Sequence, residues 1–336
     1  MRNSSLSNIV SGVYSQSIAI IIGGITTLAA YFLGKEILSH ASCPLICDAI
    51  QSFSTNRIGA YCLHFAEITV SALSLSYMTY SRNVIRTRSK LPGIFLLLFC
   101  CSYPAYFLGL STGTFITIVF AVIFLILFSP STEFRLPLHI YIISFFLSAA
   151  GILYPSLFLY IPLFWLGSAK IASFGFKCLL ASLLGAITPF WLLSAAQIVW
   201  DFSFCFQNFI DNFYPFHFID YRQVSPSLIY TAAVTIIGFF CWIRNTALQY
   251  EDKIITRIYN GIINMLFFYT LVLICLNYNG FPAYLPILNV CVSLQAAHYF
   301  THANSKHAAF LFYTIITVFI LFFLWNLLQD LVNGAI

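Results

Sequence analysis

Long apolar runs separated by short polar gaps dominate this chain. A helix needs about 20 apolar residues to cross the hydrocarbon core of a bilayer, and somewhat fewer where its polar ends lie at the interface. By that measure the sequence predicts about eleven spans, at residues 15–33, 61–80, 91–110, 112–128, 137–151, 154–167, 178–200, 227–243, 258–276, 282–300 and 308–328. The expected fold class is therefore all-α, a polytopic transmembrane helix bundle. Residues 1–336 form one integral membrane domain, and no linker or internal repeat divides them.

The polar gaps test that count. Cytoplasmic loops of membrane proteins carry an excess of Lys and Arg. If the gap holding Arg82, Arg86, Arg88 and Lys90 is cytoplasmic, then Arg2, Arg135, Lys170, Lys177, Arg244, Lys253, Arg257 and Lys306 fall on the same side, and only Lys35, Arg57 and Arg222 fall outside. The expectation is a cytoplasmic N-terminus and a periplasmic C-terminus. The stretch 137–167 could be one long helix or a hairpin of two short ones. A single helix would invert everything after it and erase the asymmetry, so the hairpin is favoured. Tyr154-Pro155 agrees, because the residue before a proline is pushed out of the helical region. The apolar run 18–33 reads as a retained span and not a cleaved leader: only Arg2 is charged before it, and further apolar segments follow at once.

Composition strengthens the membrane reading. Only 7% of the residues are charged, against about 25% in a typical soluble domain, and 60% are hydrophobic. The net charge of +5 resides in short loops beside the spans, so it marks orientation and not a nucleic-acid surface. Most of the 10 cysteines lie in or beside apolar segments, where a thiol behaves as a small hydrophobe; Cys43, Cys47 and Cys205 fall in longer gaps.

Two longer segments, 34–60 and 201–226, lie on the predicted outer side. Ile46, Ala49, Ile50 and Phe53 repeat at helical spacing in the first, as do Phe202, Phe206, Phe209, Phe213 and Phe216 in the second. Both predict amphipathic helices lying in the outer interface. They could brace the bundle, or they could rim an outward cavity to which Asp48, Asp201, Asp211 and Asp220 present acceptors. Within the spans, Glu67 is the one acid well inside, and His64 stands three positions before it on the same helix face. A charge at the centre of a span costs roughly 2.5–3.5 kcal/mol on insertion scales, which makes this pair a candidate proton or cation site. His298 and His302, four apart, have a spacing that can hold a metal once a third ligand arrives, but no metal centre is expected, and interfacial histidines are the simpler reading. Asn260 and Asn264, also four apart, are expected to bond a neighbouring helix. No nucleotide, zinc-protease or nucleophile-elbow motif occurs, and no cofactor is expected.

The run Gly151-Ile-Leu-Tyr154-Pro155, then Lys177, then Leu184-Gly185-Ala186-Ile187-Thr188-Pro189 resembles an uncharacterised family of bacterial multi-pass inner-membrane proteins of the Bacteroidetes type. Arg82-Asn83 followed by Leu91-Pro92-Gly93 belongs to the same likeness. It covers about a third of the chain, with Lys177 where the family often has Arg and a poorer match in the N-terminal third. The resemblance implies a helical inner-membrane protein and no particular activity. In topology the chain is also similar to membrane-embedded polyprenyl-phosphate-dependent glycosyltransferases, which would give Asp48, or Glu36, a catalytic role at the outer face. Three functions are therefore carried forward. The first is a cell-envelope protein that binds or moves a lipid-linked or small polar ligand, or that assembles with another membrane protein. The second is an enzyme using a lipid-linked sugar, and the third is a transporter coupled through Glu67. The lipid bilayer is the expected partner in each, and nucleic acid in none.

Overall fold

The computed structural model describes residues 14–33, 57–82, 84–103, 112–129, 135–200, 226–277, 281–302 and 306–333. Among these residues there are eleven α-helices and no strand. They are α1 (Ser15–Leu33), α2 (Arg57–Arg82), α3 (Leu91–Ser102), α4 (Thr112–Leu127), α5 (Leu136–Leu153), α6 (Ile161–Ile171), α7 (Phe176–Trp200), α8 (Pro226–Ala247), α9 (Ile254–Leu276), α10 (Phe281–His302) and α11 (Lys306–Asn333). The amphipathic segments expected near 42–53 and 202–216 lie outside the described residues. Among the described residues four helices are long and apolar enough to cross a membrane: Phe176–Ala195 of α7, α8, α9 and Lys306–Leu328 of α11. The outward faces are apolar as well, with Ile21 and Ile25 on α1, Leu184, Ile187 and Trp191 on α7, and Phe310 and Leu321 on α11 all exposed. Such a belt suits lipid and not water.

Helix ends follow local chemistry. α3 stops at Ser102, short of the 91–110 expectation, because Tyr103 precedes a proline and has left the helical region at φ −122°, ψ 74°. α5 stops at Leu153 for the same reason: Tyr154, before Pro155, is extended at φ −132°, ψ 96°. A 3-10 turn, Pro155–Tyr160, then leads into α6. The chain does reverse here. Leu136 and Ile140 at the start of α5 pack with Ala172 and Phe174 beyond the end of α6, and with Cys178 of α7.

The same alternation runs through the bundle. Gln16 of α1 donates to Ser76 of α2 at 2.9 Å, and Ser76 donates to the Lys90 carbonyl at 3.2 Å. Phe128, just after α4, lies 4.5 Å from Tyr259 near the start of α9, measured between ring centroids. Phe95 of α3 packs on Phe300 of α10 at 5.5 Å and on Phe312 of α11 at 5.7 Å. One end of the bundle therefore collects the starts of the odd-numbered helices and the ends of the even-numbered ones. Arg2, Lys35 and Arg222 fall outside the described residues; every other Lys and Arg except Arg57 lies at this end. We refer to it as the basic end.

At the centre stands α10. Every described residue from Phe281 to Phe300 is buried, because α3, α4, α8 and α9 all pack against this one helix. Gly238 of α8 admits the closest approach: a methyl group there would strike the ring of Phe267 from α9 and the side chain of Val292 from α10. At the periphery α5 and α7 form a second close seam. Ser144 and Ser182 hydroxyls meet at 2.7 Å, Trp165 Nε1 donates to Ser182 at 2.7 Å, and Ser148 donates to the Ala186 carbonyl at 2.5 Å. Gly185 lies so close to the Tyr141 carbonyl that any side chain there collides with rigid backbone.

The α5–α7 seam thus has no room for one added methyl. Gly185→Ala should destabilise the detergent-solubilised protein by about 1–3 kcal/mol, and Gly185→Leu should do so more strongly, both read as lowered thermal unfolding midpoints. Gly261→Ala, where a Cβ meets nothing within 4 Å, should leave the midpoint unchanged.

Candidate functional site

A membrane bundle can hide polar groups only where neighbouring helices satisfy them. Along the seam between α9 and α10, Asn264 and Asn260 of the first helix face Gln295 and His298 of the second. Gln295 Nε2 donates to Asn264 Oδ1 at 2.9 Å, and the Asn260 amide lies 3.1 Å from His298 Nε2. On the α8 side, Asn245 Nδ2 donates to the Gln295 carbonyl at 2.9 Å. Towards the other end of α10, the Tyr230 hydroxyl stands 2.8 Å from the Phe99 carbonyl and 3.3 Å from Asn289 Oδ1. The expected helix-to-helix role of Asn260 and Asn264 is what the structure shows.

At the basic end this polar seam meets charge. His298 Nε2 lies 3.1 Å from Asp252 Oδ2, and Arg86 Nε donates to Asp252 Oδ1 at 2.8 Å. Arg86 also donates to Glu251 Oε2 at 2.7 Å and to the Leu248 carbonyl at 3.1 Å. Arg257 Nε, from the first turn of α9, donates to the Asp252 carbonyl at 3.0 Å. The Asp252 side chain is 1% exposed, His298 4% and Arg86 17%, so this is a buried network. It fastens the α2–α3 connection to the α8–α9 connection and to the last turns of α10. Val84 and Ile85 are buried just before Arg86 and hold the first of those connections against the bundle. Burial pushes the Asp252 carboxyl up, but the hydrogen bonds and charges of His298 and Arg86 outweigh it and hold the group below its ordinary value of 3.8.

Four polar atoms on α10 are buried with no hydrogen-bond partner among the described residues: Tyr284 Oη, Asn289 Nδ2, Gln295 Oε1 and His298 Nδ1. In native structures the large majority of buried polar atoms are paired. Four unmet groups on one enclosed helix therefore single out α10.

Of the residues singled out by sequence, His64 is buried on α2, and Glu67 is half-buried one turn on, its carboxyl hydrogen-bonded to Thr114 of α4. Glu36, Asp48, Asp201, Asp211 and Asp220 lie outside the described residues, so the outer-rim and outer-loop catalytic assignments have no geometry to draw on. Among the described residues no three His, Cys, Asp or Glu side chains gather as metal ligands; His298 turns to Asp252 instead. Sequence reasoning missed Asp252 and treated Arg86 as a marker of orientation. The available signal was the acidic pair Glu251-Asp252 in a connection where bases prevail, together with the apolar Val84-Ile85 inside a polar loop. No family model, no curated protein and no solved structure matches the chain.

A carboxyl whose folded-state value is depressed contributes stability above its ordinary value and loses it as pH falls through the lower, folded one. Acidification below 3.8 should therefore release the clamp. Thermal unfolding in detergent should show wild type losing stability in that window while Asp252→Asn, already weaker at neutral pH, changes less there. Removing the cation by Arg86→Met should cost about 3–5 kcal/mol, the usual result of stripping one partner from a buried ion pair, measured in the same assay at neutral pH.

Proposed function

We propose that this chain is a multi-pass protein of a bacterial cytoplasmic membrane, with its basic end in the cytoplasm, and that it binds or moves a small polar ligand along the seams of α10. The alternating direction of the eleven helices and the gathering of Lys and Arg at one end support eleven crossings from a cytoplasmic N-terminus to a periplasmic C-terminus. The likeness of the Tyr154-Pro155 and Leu184-to-Pro189 stretches to bacterial inner-membrane proteins supports the location.

The observation that carries the ligand reading is the chemistry of α10. A helix enclosed on every side could be filled with Leu and Val at no cost in solvation. This one instead holds Asn289, Ser293, Gln295 and His298, and three of these keep a donor or acceptor unmet. Each unmet group costs about 1–3 kcal/mol, a burden that side chains serving only as helix glue do not carry. Groups held ready for a ligand's hydrogen bonds do carry it. Asn289 and His298 stand nine positions apart along the helix, roughly 13 Å at its rise per residue, so the unmet groups span part of the membrane's depth.

Orientation is tested by cysteine labelling with Cys62 and Cys275, the two exposed thiols among the described cysteines, and Cys43, Cys47 and Cys205 of the longer gaps all replaced by Ser. In intact spheroplasts an impermeant maleimide should leave Arg88→Cys unlabelled and should label Arg57→Cys, with the reverse in inverted vesicles. Ligand binding is tested by thermal unfolding of the purified protein against a panel of sugars, amino acids, nucleosides and small carboxylates. At least one class should raise the midpoint, and Gln295→Leu, still unfolding in one cooperative transition, should abolish that rise. A panel with no effect on wild type would count against the reading.

A further inference from the structure

We infer that the basic end holds a phosphate-binding site where α2, α4, α5 and α9 meet, built on Arg82 and Arg135. The inference goes beyond the polar-ligand reading and does not rest on it. α4 packs against both α2 and α5, and Phe128 at its end packs on Tyr259 of α9. The last turn of α2, which carries Arg82, and the first turn of α5, which carries His139 after Arg135, come together there. Their charges register the meeting. Arg135 and Arg82 both act on the His139 ring, and Arg82 acts on the Tyr259 phenol as well.

Arg82 is the member that needs an anion. It is half-buried, and its Nε is shut away from water with no hydrogen-bond partner among the described residues. A guanidinium cannot shed its proton to escape that cost, and a charge taken out of water is tolerated only where an opposite one meets it. Arg86, four residues on, has its answer in Asp252, Glu251 and the Leu248 carbonyl. Arg82 has no such acid to turn to. Among the described side chains the acids are Glu67, Glu251 and Asp252. The last two serve Arg86, and Glu67 stands fifteen positions back along α2, roughly 22 Å at the rise of a helix.

The groups around Arg82 offer hydrogens and positive charge. Arg135 adds a second fixed cation, His139 a ring N–H and Tyr259 a phenol O–H. α5 begins at Arg135 with no side-chain cap, so its positive dipole end is open too. Two guanidinium groups beside neutral donors suit an oxyanion with two charges and several acceptor oxygens. That is the chemistry of phosphate, two of whose oxygens a planar guanidinium grips at once. A carboxylate could not balance both cations. At the ends of membrane helices the phosphate comes either from the headgroup of an anionic lipid or from a phosphorylated solute.

The test offers two probes to the full-length protein in detergent. Phosphatidic acid is counted by native mass spectrometry against phosphatidylcholine, and glycerol 3-phosphate is followed by thermal unfolding. Arg82→Met should weaken whichever probe binds by about tenfold, and Arg135→Met should weaken it too; Arg82→Gln repeats the loss should the Met variant fold poorly. Arg88→Met, which removes an exposed arginine of the same end lying over Tyr80, should change nothing. Retention of phosphatidic acid alone identifies a headgroup site, and a midpoint raised by glycerol 3-phosphate identifies a soluble phosphate. Equal losses from Arg82→Met and Arg88→Met would overturn the inference, since they describe a basic surface that attracts any anion. So would failure of wild type to bind either probe. Glu133, two positions before Arg135, lies outside the described residues. If Glu133→Gln lowers the midpoint of wild type but not of Arg82→Met, the two side chains form an internal pair, and the inference falls.

Discussion

Enclosure of one helix governs the rest of this structure. In lipid, a helix that touches the hydrocarbon must present apolar side chains, whereas one sheathed by its neighbours is released from that demand. α10 is sheathed by α3, α4, α8 and α9, so it can carry Asn, Gln, Ser and His along its middle. The neighbours accept the complementary duty. Their outward faces, such as Ile236 and Ile243 on α8 or Val272 on α9, are apolar and exposed, while their inward faces supply Asn245, Asn260, Asn264 and Tyr230. Polar function and lipid solubility are divided between an inner helix and an outer ring.

The two polar seams differ in a way that separates architecture from function. Between α5 and α7 the hydroxyls of Ser144, Ser148 and Ser182 and the indole of Trp165 satisfy one another or a backbone carbonyl at 2.5–2.7 Å. That is how close-packed membrane helices are joined. Around α10 the bonds are longer, at 2.8–3.3 Å, and the accounting does not close: amides and an imidazole are each used on one side and left over on the other. The residue types differ accordingly. A hydroxyl can rotate to serve whichever neighbour is present, whereas the planar amides and imidazole hold their donors and acceptors in fixed directions.

Much of the helical plan was legible from the chain, because apolar run length and proline punctuation act locally. The hairpin at Tyr154-Pro155 could be read from a dipeptide and a charge-parity argument, and the structure shows the same reversal. The basic end could be read because Lys and Arg mark connections and not packing. The importance of α10 could not be read this way. Its sequence is less apolar than those of α3, α4, α8 and α9, but being central is a property of the other helices' positions. Asp252 was illegible for a related reason: its partner Arg86 lies 166 residues away, and each looked like an ordinary loop charge. In the sequence His298 and His302 read as interfacial histidines and not as metal ligands; the structure instead buries His298 against Asp252, a contact that depends on where the α8–α9 connection lies and not on the spacing along α10.

The separation of Arg86 from Asp252 also shapes how the protein is made. At about 5–20 residues per second, the ribosome delivers Asp252 roughly 8–33 s after Arg86, so the guanidinium waits for that carboxylate through the synthesis of half the chain. During that interval the turn must be kept by bonds already available. The Thr79 hydroxyl donating to the Ser89 carbonyl at 3.0 Å and Ser76 donating to that of Lys90 are of this kind, since both are complete once α3 has begun. The nascent chain thus carries an early, neutral fastening and a late, ionic one at the same bend, and the second can close only after α8 has entered.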